Sequence, residues 1–196
     1  MRVLVIYAHP LADSFAAALH QRVLAALKRG GHEVDDCDLY ALGFDPVLSA
    51  AERASYNGPS PDLSGVASHV ARLRAAEALV LCFPTWWYGM PAILKGWFDR
   101  VWVTGVAFTL PKGPGAIRPA LHNIKKFAVV TTYGSPWWLM KLVLRDPVRA
   151  VLIGGLRRLC ARDCRSMFLA LYSIDVASRA RCDAFRRRVE RAFARF

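Results

Sequence analysis

The chain has 196 residues, 55% of them hydrophobic and 21% charged, a composition that buries one sizeable core and excludes a disordered chain. Its formal net charge of +12 is unevenly placed: residues 141–196 hold 14 Lys+Arg and 5 Asp+Glu, whereas residues 1–140 hold 13 and 10. No helix-turn-helix, RNA-binding or zinc-finger pattern accompanies the charge, so no nucleic-acid partner is expected; the basic third is a solvated surface or a contact with anionic lipid or an acidic partner.

Residues 2–8 are continuously apolar, as in a strand buried on both faces, and too short for a signal h-region. Asp13 or Ser14 caps a helix through Lys28, with Phe15, Leu19, Val23 and Leu27 on one stripe and Gly30-Gly31 at its end. Residues 32–39 alternate as a second strand; 40–61 read as a long loop with a short helix. Asp62 or Ser64 opens a helix to about Glu77, and 78–83 form a third strand. Pro91 begins a helix whose stripe of Ile93, Leu94, Trp97, Phe98 and Val101 is wider than one small core face needs, which predicts a two-fold dimer built partly on it. Residues 103–123 read as a Gly- and Pro-rich loop and 127–132 as a fourth strand. Residues 138–161 read as a helical region broken or restarted at Pro147, 166–172 as a fifth strand, and 177–196 as a closing amphipathic helix.

The longest apolar run, 148–159, is broken by Arg149, Arg157 and Arg158, so no membrane span is expected. An odd set of five cysteines without a secretory signal predicts reduced thiols and a cytoplasmic protein. Cys160 and Cys164 lack a second ligand pair, and no metal site is expected.

Strands alternating with helices predict a single α/β domain with a parallel five-stranded sheet in the order 2-1-3-4-5, its ligand lying beyond the carboxyl ends of strands 1, 3 and 4. Three loops fall there. His9 to Phe15 leads into a helix N-terminus, where free N–H groups attract phosphate and His9 and Ser14 either add hydrogen bonds to it or merely satisfy the turn. Pro84, Thr85, Trp86, Trp87 and Tyr88 place three consecutive aromatics at a strand end, too many directions for all to enter the core, so that some line a site for a flat ring. Thr131, Thr132, Tyr133 and Gly134 offer hydroxyls and exposed N–H groups to an oxyanion or ring carbonyl.

Ala8-His9-Pro10 with Ser14-Phe15, then Phe83-Pro84-x-x-Trp87-Tyr88-Gly89-Met90-Pro91 continuing to Val101, then Thr131-Thr132-x-Gly134, resembles the flavodoxin-like NAD(P)H dehydrogenase (quinone) family over residues 1 to about 135. That family also includes ancillary proteins of potassium-efflux systems. The resemblance implies a flavodoxin-like three-layer sandwich. It implies flavin phosphate wrapped by Ser14, Phe15 and Ala16, an isoalloxazine beside Pro84 to Tyr88 with a main-chain N–H near N5, and a pyrimidine end at Thr131 to Gly134. An Asn often follows the Ser-aromatic pair; here Ala16 stands there. By ungapped count Leu139 and Arg145 take the places of a Tyr and a His that animal quinone reductases use, which makes Arg145 a candidate for stabilising reduced flavin by charge alone.

The function expected is flavin-dependent NAD(P)H oxidation, with a quinone or similar planar acceptor. FMN is preferred to FAD because the chain is short and lacks an obvious adenine pocket. The rival readings are a flavin-binding accessory subunit of a membrane transporter, touching it through the basic C-terminal third, and a single-electron carrier.

Overall fold

β1 (Arg2–Tyr7), β2 (Glu33–Asp38) and β3 (Ala78–Pro84) form with two later strands one parallel sheet. The computed structural model describes all residues except Pro59 and Lys112. Between the early strands lie α1 (Phe15–Arg29), α2 (Ala50–Ser55) and α3 (Ala67–Ala75), and after β3 comes α4 (Ala92–Val101). Two-residue strands β4 (Phe108–Thr109) and β5 (Arg118–Pro119) pair antiparallel inside the segment expected to be loop. They are too short to leave a two-residue periodicity in the sequence.

β6 (Lys126–Thr132) and β7 (Arg165–Leu171) complete the sheet, in the order β2-β1-β3-β6-β7. In order of the large-sheet strands this is the expected 2-1-3-4-5. Alternation within the buried strands sends Leu4 and Ile6 to one face and Val3, Val5 and Tyr7 to the other. The first face is covered by α3, α4 and residues of the 140–164 region, the second by α1 and the final helix α6 (Arg179–Phe193), giving three layers. Among the described residues no helix is long and apolar enough to cross a membrane.

The stripe on α4 corrects one ground for the expected dimer. Ile93, Leu94, Trp97, Phe98 and Val101 are all buried within the protomer. The helix is covered on two sides: the Trp97 indole N–H donates to His69 Nδ1 on α3 at 3.3 Å, and Gly96 meets Pro46 so closely that a Cβ there would lie 2.2 Å from its carbonyl oxygen. A helix wedged between sheet and loop needs a wide stripe without any partner chain. Exposed large apolar side chains lie elsewhere, among them Trp137, Trp138, Leu142, Val143 and Val151.

The region expected to be helical with a break or restart at Pro147 is helical on both sides of that break, in short α, π-type and 3₁₀ segments, with the restart running unbroken over residues 147–159. A wide π-type turn over Leu139–Val143 ends in two left-handed residues, Arg145 at φ 56° and Asp146 at φ 49°. Asp146 then caps the restart α5 (Pro147–Arg149), as Pro147 suggested, by accepting the Arg149 N–H at 3.2 Å.

Candidate active site

At the carboxyl end of β1, Ser14 is the N-cap of α1: its Oγ accepts the Ala17 N–H at 3.0 Å. The N–H groups of Phe15 and Ala16 precede the first intrahelical bond and are left for a ligand. His9 Nδ1 accepts the Leu11 N–H at 3.0 Å. A neutral imidazole so engaged carries its proton on Nε2, which remains a donor. Both readings of His9 are therefore compatible: one ring nitrogen satisfies the turn and the other is available. Beneath this loop the Tyr7 hydroxyl is buried without a hydrogen-bond partner among the described residues. Burial raises its pKa, and the neighbouring Ser14 hydroxyl opposes that rise.

The second loop begins where β3 meets β6. Thr85 N–H donates to the Thr132 carbonyl at 2.8 Å, and the Thr85 and Thr131 hydroxyls share a 3.0 Å hydrogen bond. Trp86 and Gly89 then exchange N–H···O bonds of 3.1 and 2.9 Å across a two-residue turn. The turn residues are Trp87 at φ 49° and Tyr88 at φ 60°. Positive φ at both positions is the demand of a type I′ hairpin turn, which favours Asn-Gly. Bulky side chains there carry backbone strain, and such strain concentrates at functional sites. Trp87 is also 97% exposed. With Thr85, Trp86 and Gly89 N–H already engaged, the N–H groups of Trp87 and Tyr88, at the tip of the turn, make no hydrogen bond among the described residues.

The third loop is fastened to a fourth that the sequence reading missed. Tyr133 N–H donates to the Leu171 carbonyl at 2.8 Å, so it is not available to a ligand. The Tyr133 carbonyl accepts from Ile174 N–H at 2.9 Å, and the Ser135 carbonyl from Ser173 N–H at 3.0 Å. Gly134 and Ser135 N–H make no hydrogen bond among the described residues. Ser173, at φ 53°, turns the chain so that Asp175 reaches over Gly134: a Cβ on Gly134 would lie 2.6 Å from Asp175 Oδ2. A side chain at position 134 would have to push the Asp175 carboxylate aside. The only sequence signal for the fourth loop was its place after the last strand.

These loops enclose two adjoining cavities of about 370 and 290 Å³, both lined by Thr85, Trp87, Gly134 and Asp175. Pro84, Trp86 and Thr132 line the first, and Tyr88, Tyr133 and Ser135 the second. The His9 ring lies 5.7 Å from that of Trp86, which joins the helix start to the aromatic turn. Phe15 and Ala16 face the α1/α6 core with their side chains and contribute through the main chain. Thr131 is buried, and its hydroxyl ties loop to loop.

Behind the third loop sits a buried acid that the sequence did not single out. Tyr133 Oη donates to Asp146 Oδ1 at 2.7 Å and Tyr172 Oη to Asp146 Oδ2 at 3.3 Å, with the two rings stacked 4.9 Å apart. Arg145, next in sequence, is exposed, and the structure does not bring it into the group that lines the cavities. Burial first, and the Asp146 carboxylate second, push the Tyr172 hydroxyl up to about 12 and Tyr133 higher still. The folded chain thus holds these protons more tightly than the unfolded one, where tyrosine titrates near ~10. Their contribution to stability is whole below about pH 10 and is lost as the pH rises toward 12. The urea midpoint should fall on entering that range, and fall less in Tyr172→Phe; identical alkaline profiles for the two proteins would show that Tyr172 does not take part.

A family model described as flavodoxin-like fold matches residues 1–143, and the chain belongs to that family. It is 36% identical over 154 residues to NAD(P)H dehydrogenase [quinone] 1 of Rattus norvegicus, covering 68% of this chain and 54% of that protein. The chain thus spans about half the length of the curated relatives it matches. Among solved structures it superposes on Smu.1420 from Streptococcus mutans with a TM-score of 0.87 and 29% identity over the whole of both chains. It superposes on the NAD(P)H:quinone oxidoreductase of Methanothermobacter marburgensis with a TM-score of 0.84 and 27% identity, covering 99% and 98% of the two.

Proposed function

We propose that this protein is a flavin-dependent NAD(P)H oxidoreductase acting on a quinone or similar planar acceptor. One observation carries the reading: two aromatic residues, Trp87 and Tyr88, are held in left-handed backbone at the mouth of a cavity whose opposite wall offers free amide donors. A strained, exposed aromatic turn has no use in folding and suits stacking on a flat ring. The buried, unpartnered Tyr7 hydroxyl beside Ser14 and the open start of α1 fit a phosphate at the other end. The relatives named as NAD(P)H:quinone enzymes support the same reductant and acceptor.

Flavin, when bound, supplies the hydride-accepting centre and passes electrons on. The chain's own residues orient and polarise. Phe15 and Ala16 N–H, with His9 Nε2–H, would hold the phosphate; Trp87 and Tyr88 N–H would meet one edge of the ring; Gly134 and Ser135 N–H would meet its carbonyl end. Trp87, which lines both cavities, would flank the space that the nicotinamide and then the acceptor would share. We take FMN rather than FAD as the flavin, because the helix start and the two cavities together account for one phosphate and one ring system. The exposed apolar surface of Trp137, Trp138, Leu142, Val143 and Val151 is the face through which we propose a homodimer, with a membrane or transporter contact as its rival occupant.

The test is reconstitution. Purified protein should take up FMN with quenched flavin fluorescence and then oxidise NAD(P)H with a quinone at steady state. No uptake of FMN or FAD at tens of micromolar removes the proposal, because preformed flavin sites bind far tighter. Uptake without turnover would favour an accessory role.

A further inference from the structure

The cavity wall assigned to the ring's carbonyl end carries a negative group and no positive one. Asp175 lines both cavities and lies against Gly134, and it forms no ion pair among the described residues, in a chain of net charge +12. The fourth loop holds it there through the Ile174 and Ser173 N–H bonds to Tyr133 and Ser135. The other titratable side chains facing this space are few. Tyr88 comes from the second loop, and Tyr133 from the third with its hydroxyl turned to Asp146. His9 comes from the first loop and packs beside Trp86. Arg145 does not line the space.

Resting on the flavin reading, we infer that Asp175 sets the charge of the site: its carboxylate disfavours negative charge on the reduced ring and makes the protein hold that ring neutral. The hydride from NAD(P)H brings two electrons and one proton; the second proton comes from water through the exposed side of Asp175, and both electrons and both protons leave with the acceptor. Coulomb repulsion between like charges in one cavity is the cause. Its size is moderated because Asp175 is exposed to solvent. This is the opposite sign from an arginine at the same edge, which would stabilise an anionic reduced ring.

The experiment is a redox titration of bound FMN from mildly acidic to alkaline pH in the wild type, Asp175→Asn and Asp175→Glu, with FMN affinity measured alongside. Asp175→Asn should bind reduced FMN over oxidised FMN about tenfold better than the wild type does, a rise in midpoint potential of about 30 mV for two electrons. The rise should be largest at alkaline pH, where the wild type resists losing the ring's proton. Asp175→Glu should stay near the wild type. Gly134→Ala, whose methyl displaces the carboxylate, should move the potential in the same direction as Asp175→Asn. Normal FMN uptake with unchanged potential and pH profile in Asp175→Asn overturns this inference alone. Absence of FMN uptake by the wild type overturns the flavin reading and this inference together.

Discussion

Replacing Trp87 by Asn and Tyr88 by Gly should raise the melting temperature of the flavin-free protein while weakening its hold on FMN. Left-handed backbone costs a bulky residue roughly 1–2 kcal/mol. Trp87 at φ 49° and Tyr88 at φ 60° both incur it, and Trp87, 97% exposed, gains little burial in return. Asn-Gly is the pair such a turn favours, so relief of about 2 kcal/mol is expected, a shift of about 4–8 °C for a chain of this size. The same change strips the cavity of two aromatic walls, and FMN affinity should drop at least about tenfold, the scale of one or two lost stacking contacts. Thermal unfolding of the apoprotein and a fluorescence titration separate the two effects. A melting point that stays put or falls would show that the turn is unstrained. An unchanged affinity would show that the rings do not touch the flavin.

Asp146→Ala should produce the largest loss of stability among single substitutions near the site, about 3–5 kcal/mol. It leaves the Tyr133 and Tyr172 hydroxyls without their acceptor and removes the cap on Arg149 N–H. An orphaned buried hydroxyl, that of Tyr133, costs roughly 1–3 kcal/mol, the half-buried Tyr172 hydroxyl less, and a lost cap about 1. Asp146→Asn keeps one acceptor oxygen and tolerates the left-handed backbone, so it should lose less than half as much. Urea unfolding of the three proteins ranks them; equal stability of Asp146→Ala and the wild type would remove the network from any account of the third loop. Because Tyr133 underlies Gly134, the Ala variant should also bind FMN more weakly, even where it is fully folded.

Much of this was legible in one dimension. The continuously apolar runs at 2–8 and 78–83 became the central strands because both sheet faces are covered, and their own composition says so. Ser14 before an apolar-periodic stretch became an N-cap, and Pro91 stands just before α4, because cap chemistry is settled within a few residues. The places of the three loops followed from the strand order, which the handedness of crossovers restricts strongly. The two-residue strands β4 and β5 escaped notice because so short a pairing leaves no periodicity, and the α4 stripe misled because width reports how much of a helix is covered, not by which chain.

By itself, then, the sequence determined the sheet, its order and the segments at its ligand-bearing edge, since each depends on patterns confined to one element and on general topological rules. Tertiary structure alone decided which groups in those segments remain free. Thr85 N–H is taken by Thr132 and Tyr133 N–H by Leu171, residues of strands 47 and 38 positions away in the chain, so the donors left open are those of Trp87, Tyr88, Gly134 and Ser135. It also decided the charge: Asp175 was an unremarked acid in a basic C-terminal third until the fourth loop folded it onto Gly134, while Arg145, promising by count, turned away to solvent. Local propensity is additive along the chain, but hydrogen-bond capacity and electrostatic neighbourhood are settled only when distant segments meet, and those two quantities make the site.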